Sequence, residues 1–257
     1  MSFALCRLAL PAAAVSILAA FAGPASAANL IVNGGFEADA AVIQSPDPVT
    51  GWTASEVGLV GGVVVNSGSV SPVSGATTPG ANAGNYHALL DLAAPSHMAF
   101  SQTFAVGAQP LQTATLSYSW FASSLGDPAV GGDRTSLDST SNDDVFTLRV
   151  DILRAGAAAF STSAADLVFT STWTATPDQL PSDWIVFSAA LPAGALMAGQ
   201  DYTLRFASAS NRAPLFGGID DVSINVTAVP EPETWALILA GFGIAVGVAR
   251  HRHPHNR

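Results

Sequence analysis

Few side chains in this sequence are placed to do chemistry. Two acidic pairs, Asp143-Asp144 and Asp220-Asp221, stand in a chain with nineteen acidic residues, nine arginines and no lysine. Glycoside hydrolysis needs two carboxyl groups several Å apart on either side of a bond. Neighbours within a strand point to opposite faces, so both pairs read better as loop solvation or cation binding. His87-x-x-x-Asp91 with His97 has the residue types of a metal site, but its spacing fits no helix motif. These are read as surface or turn histidines. No Gly-x-Ser-x-Gly elbow is present. The single cysteine, Cys6, excludes a disulfide framework and a thiolate cluster. The remaining chemistry is stacking, because the apolar faces of sugar rings pack on aromatic rings. The candidates are Trp52, Tyr86, Trp173 and Trp184. Trp52 and Trp120 are expected inside, since large aromatics bury large areas. Trp173, set among threonines in Ser171-Thr-Trp-Thr-Ala-Thr176, and Tyr86 are the candidate ligand-binding rings.

The elements that must position these residues are strands. From Phe146 to Ile152 apolar residues alternate with Thr147, Arg149 and Asp151, which predicts one buried and one wet face. The same period recurs at Leu116–Trp120, Tyr202–Phe206 and Val222–Val226. Further strands are expected near 29–32, 58–66, 85–92, 99–106, 166–175 and 184–191. Turn chemistry separates them, as in Asn33-Gly34-Gly35, Thr78-Pro79-Gly80 and Gly131-Gly132. Residues 123–144 read as a long exposed loop. Many short strands with Gly/Pro/Ser turns predict an all-β antiparallel sandwich or jelly roll.

The composition of the two ends differs from that of the middle. Residues 28–229 hold seventeen acids and five arginines, and each end is net positive. So acidic a domain makes no nucleic-acid partner, because duplex binding rests on neutralising phosphates. Residues 1–27 read as a signal peptide: Arg7, an apolar run over 8–22, and Ala25-Ser26-Ala27 as the cleavage site, with cleavage after Ala28 as the neighbouring alternative. At the other end Pro230-Glu231-Pro232 precedes an uncharged run, 235–249, and a tail containing Arg250, Arg252 and Arg257. As a helix that run spans about 22 Å, short of the roughly 30 Å hydrocarbon core, so a short and temporary transmembrane anchor is expected. Pro-Glu-Pro, then Trp235-Ala236, an Ala-Gly-Phe-Gly core and a basic end resemble the PEP-CTERM sorting signals, here over 230–257. The resemblance implies export by Sec-type machinery and transient anchoring in the inner membrane of a Gram-negative bacterium. It further implies cutting by an exosortase near Pro230, Glu231 and Pro232, followed by release to the envelope, surface or extracellular matrix.

A second resemblance brackets the middle. Asn33-Gly34-Gly35-Phe36-Glu37 with Gly51-Trp52 near its start, and Ile219-Asp220-Asp221-Val222 near its end, are similar to the galactose-binding-like jelly rolls. That group includes many carbohydrate-binding modules. In those modules the opening Glu and an Asp of the last strand help to hold a structural calcium. The resemblance therefore implies Glu37 and Asp220 as calcium ligands, with Asp221 beside them, and calcium suits oxygen donors of this kind. The expected protein is an exported, non-catalytic surface or matrix protein that binds extracellular polysaccharide. The alternatives are a secreted hydrolase acting on polysaccharide and a matrix subunit that self-assembles through sheet edges.

Overall fold

The computed structural model describes residues 27–39, 49–58, 61–124, 135–173 and 182–228, together with 239 and 241–243. Residues 1–26 of the expected signal peptide, the Pro230-Glu231-Pro232 motif and most of 235–249 lie outside the described residues; Leu239 and 241–243 are helical. Among the described residues the chain forms eleven strands: β1 (Ala27–Asn29), β2 (Thr53–Gly58), β3 (Gly61–Asn66), β4 (His87–Leu92), β5 (Ser96–Ala105), β6 (Leu111–Ser124), β7 (Phe146–Arg154), β8 (Leu167–Thr172), β9 (Ile185–Ala190), β10 (Asp201–Ser210) and β11 (Leu215–Ala228). They build the antiparallel jelly-roll sandwich that the alternation predicted. One sheet runs β3-β4-β11-β6-β9, with β1 pairing the second half of β11; the other runs β2-β5-β10-β7-β8.

The core lies where the two sheets face each other. Leu116, Tyr118 and Trp120 of β6 and Ile219, Val222 and Ile224 of β11 meet Phe100 of β5, Val150 of β7 and Phe206 of β10 there. The opening Asn-Gly-Gly-Phe-Glu segment is anchored in this layer. Phe36 is fully buried, and Trp52 stacks on Phe100 at 4.8 Å between ring centres, donating its indole N–H to the Asn33 carbonyl at 3.2 Å. Burying a ring of that size stabilises by about 1.5–3 kcal/mol. This fixes the chain entry against the sheet. Gly34 lies against β11, with its carbonyl accepting from Val222 N–H at 2.9 Å. A Cβ at Gly34 would fall 1.9 Å from the Val222 carbonyl oxygen, so only glycine permits this approach.

Two expectations need correction here. The polar face of β7 is not wet, since Thr147, Arg149 and Asp151 are all buried. The segment 135–145 and the β7–β8 connection fold over that sheet, and Leu137, Val145 and Phe160 close a second cluster on Ala99, Ala207 and Ala209. Charges tolerate the burial because they satisfy one another. Asp151 accepts from Arg149 (2.7 Å to Nη2) and from Arg205 (2.5 Å to Nη2). The spare guanidinium N–H groups reach the Thr135 and Ala159 carbonyls. For the same reason 123–144 is not simply an exposed loop: Ser123 and Ser124 extend β6, and Leu137 and Ser139 are buried. Residues 125–134 lie outside the described residues.

The outer face of the other sheet is also covered. Residues 67–86, between β3 and β4, form a strap across it. The strap closes a third cluster in which Ala76 packs with Val64, Leu89, Phe121 and Phe216.

Candidate functional site

Three carboxylates hold the strap, one at each stage of its course. At its start Asp91 accepts from the Ser71 hydroxyl and from the Ser74 hydroxyl (2.7 Å) and main-chain N–H (3.2 Å). Farther on, Asp220 Oδ2 accepts the main-chain N–H groups of Asn82 (2.9 Å) and Ala83 (3.1 Å), and its Oδ1 accepts that of Asp221 (2.8 Å). At its end Glu37 Oε1 accepts from Asn85 N–H (2.7 Å) and Tyr86 N–H (2.8 Å). Gly84 makes the last clamp possible. Its φ is +64°, and a Cβ there would sit 2.3 Å from Glu37 Oε1.

The two bracketing motifs of the sequence thus converge on the 82–86 stretch. Asp220 and Asp221 do so together, against the expectation that strand neighbours point apart. A β-bulge interrupts the β11–β6 register between Asp220 and Ser223, and Asp221 takes a left-handed φ of +53°. Asn82 then bonds both carboxylates, its N–H to Asp220 and its side-chain amide to Asp221 Oδ2 at 2.7 Å.

The electrostatics of the two bracketing acids differ. Glu37 is exposed, and the N–H groups of Asn85 and then Tyr86 hold its pKa below the ordinary carboxylate value. Asp220 is fully buried, and burial pushes its pKa up to about 6 despite three main-chain donors. No arginine contacts it among the described residues. Burial there favours the protonated, neutral form of the carboxyl group. Glu37 and Asp220 each keep one oxygen with a single donor, Oε2 (Asn85 Nδ2, 3.3 Å) and Oδ1. Among the described residues no three His, Cys, Asp or Glu side chains gather for a metal. The partners that Glu37 and Asp220 hold are all N–H donors, main-chain or amide.

The other sequence candidates fall out as follows. Trp173 requires correction: its ring is 5% exposed and packed in the intersheet core, so it cannot serve as a platform. Trp52 and Trp120 are buried as expected. Tyr86 is half-buried at the end of the strap, and Trp184, also half-buried, donates its indole N–H to the Gly80 carbonyl at 2.8 Å. The histidines are not at the surface. His97 is buried, with Nδ1 2.9 Å from the Ser139 hydroxyl and its ring edge-on to Phe160. His87 is fully buried under the strap against Phe121 and Trp184, with neither ring nitrogen hydrogen-bonded. Asp144 pairs with Arg212 at the surface. Sequence reasoning singled out Asp91 only as part of a metal-type pattern and missed its hold on Ser71 and Ser74, and it missed the Arg149–Asp151–Arg205 group. The signal for the latter was present: the middle of the chain has only five arginines, and two of them occupy polar positions of alternating strands.

Removing the central clamp gives a first expected result. Asp220→Ala removes the charged acceptor of the Asn82, Ala83 and Asp221 N–H groups, at about 1.5–3 kcal/mol for a hydrogen bond to a charged group. A loss of about 3 kcal/mol in urea unfolding is expected, with faster hydrogen exchange at 82 and 83. Unchanged exchange there would show that Asp220 does not hold the strap.

Residues 228–252 match the PEP-CTERM protein-sorting motif. The chain therefore carries a signal for export and for membrane anchoring before exosortase processing, and the match begins on the last residue of β11. No helix among the described residues is long and apolar enough to cross a membrane. No curated protein matches the chain. Among solved structures the chain is similar to the Stig cyclase Fisc from Fischerella sp. TAU, at 15% identity over 80% of this chain and 100% of that one, with a TM-score of 0.47. It is also similar to TmCBM61 in complex with β-1,4-galactotriose, at 14% identity over 77% of this chain and 97% of that one, TM-score 0.41. A third likeness is to a CBM4 module, at 15% identity over 77% and 99%, TM-score 0.40.

Proposed function

We propose that this is a non-catalytic surface module that holds extracellular polysaccharide at the rim of the strap and is braced there by calcium. The observation that carries the reading is the strap itself. Two carboxylates, Asp220 and Glu37, are committed to main-chain donors of an uncharged rim, Gly80 to Tyr86, with the half-buried rings of Tyr86 and Trp184 at its two ends. A rigid polar rim with aromatic rings suits neutral hydroxyl-rich ligands, because little ordering remains to be done on binding. Calcium at Glu37 and Asp220 would brace the rim and neutralise the buried charge, with no part in any reaction.

The test is affinity electrophoresis of residues 28–229 through gels containing extracellular polysaccharide, with calcium or with a chelator. Tyr86→Ala is expected to weaken retention about tenfold, or about 1.4 kcal/mol, with the fold intact by circular dichroism. The chelator is expected to lower both retention and melting temperature. A folded domain that no glycan retards would sink the binding reading, and a melt indifferent to chelator would sink the calcium.

A further inference from the structure

The topology sorts the charge of the domain by its two ends. Ala27 of β1 pairs with Thr227 of β11, so both termini leave the sandwich at one end. The β5–β6 and β9–β10 connections, 106–110 and 191–200, lie at that same end, and the β7–β8 connection, 155–166, leaves from it and returns to it after folding over the sheet. Their single charged residue is Asp166, which is half-buried and accepts from the Ser161 hydroxyl; the exposed strand-end residues beside them, Arg154 and Asp201, are of opposite sign, so they leave the end near neutral. The described parts of the connections at the opposite end, 135–145, 182–184 and 211–214, carry Asp138, Asp143, Asp144 and Asp183 against Arg212. The neutral end is also apolar. A recess of about 130 Å³ there is lined by Leu111, Leu191, Pro192 and Leu196, and Met197 beside it is 54% exposed. Leu111 is the ladder partner of Ala228, so the chain leaves the sheet at the border of the recess.

We propose that this end is a docking face for the lipid bilayer, occupied while the sorting signal is uncut. The inference rests on the anchoring that the sorting motif implies. Only 229–234 separate the last strand from the apolar run, and six residues reach at most about 20 Å. An anchored domain therefore has no freedom to stand away from the membrane. It must present one end to it, and the surface of a bilayer containing anionic lipid repels carboxylates. The neutral end is both the tethered end and the one that can approach. Met197 and the leucine-lined recess give that contact an apolar character suited to the headgroup and acyl boundary. Cutting near Pro230-Glu231-Pro232 would release the contact together with the tether.

The test uses the full chain with its C-terminal segment intact, reconstituted in phosphatidylethanolamine and phosphatidylglycerol vesicles that contain spin-labelled lipid. Cys6→Ser clears the background, and a fluorophore is placed by Met197→Cys or, at the acidic end, by Asn142→Cys. The label at 197 is expected to lose most of its emission to quenching by the lipid, and the label at 142 to lose almost none. Equal quenching at both positions, with the protein floating with the vesicles, overturns the docking face alone. Protein that does not float overturns the anchoring and the docking face with it. Shielding at 197 that follows protein concentration and ignores the spin label overturns it in favour of a second copy of the chain.

Discussion

Asp151→Leu is expected to cost the domain about 3–5 kcal/mol, because it strands two guanidinium groups in a dry layer. Arg205 and Asp151 are both 0% exposed, and Arg149 is 3% exposed. In the native chain each arginine donates from Nε and Nη2 to the one carboxylate. Arg205 already has its pKa lowered by burial, with Asp151 as the main opposing influence. Without Asp151 the two positive charges face each other under Leu137 and Phe160. The triple replacement Arg149→Met, Asp151→Leu, Arg205→Met is expected to recover most of the loss, since a buried ion group and apolar residues of similar volume are close in stability. The Thr135 and Ala159 carbonyls then lose donors, which keeps the recovery incomplete. Urea unfolding of the single and triple variants decides the matter. A triple variant no more stable than Asp151→Leu would mean that the group is held by shape and not by its charge balance.

That group also shows where strand alternation stops being informative. The period at Phe146 to Ile152 gave β7 its place and its core face, because a residue pointing between two sheets must be apolar. It could not say what covers the other face. Covering is decided by connections such as 135–145, whose apolar content is a single Leu137 and Val145 in a run of Ser, Thr and Asp. The same holds for the strap, which reads as turn residues yet buries His87, Leu89 and Phe216. β2 was not anticipated because Thr53-Ala-Ser-Glu-Val-Gly58 is an exposed edge strand and carries little apolar alternation. Glu37 and Asp220 were legible as a pair through the bracketing motifs. Their shared contact with 82–86 depends on a bulge, which leaves no mark in hydropathy.

Two buried groups beneath and beside the strap are expected to give pH dependences of opposite sign. Burial drives the His87 pKa down to about 4 from an ordinary 6.5, so the folded state binds fewer protons than the unfolded chain between those values. Its stabilising contribution is complete above pH 6.5 and fades as pH falls to 4. Burial drives Asp220 up to about 6 from 3.8, so the folded state binds more protons in that range, and stability fades as pH rises from 3.8 to 6. Each effect amounts to about 3 kcal/mol at 1.36 kcal/mol per pH unit, and the two nearly cancel. Relative to the native chain, His87→Leu should therefore become less stable as pH rises from 4 to 6, and Asp220→Asn less stable as pH falls from 6.5 to 4. The double variant should follow the native curve. Unfolding curves across this range would sink the assignment if both single variants ran parallel to the native protein. Calcium separates the two contributions, since a cation beside Asp220 favours its charged form and lowers its pKa. Its addition should flatten the His87→Leu curve while leaving that of Asp220→Asn unchanged, which links the buried charge of the strap to the ion proposed to brace it.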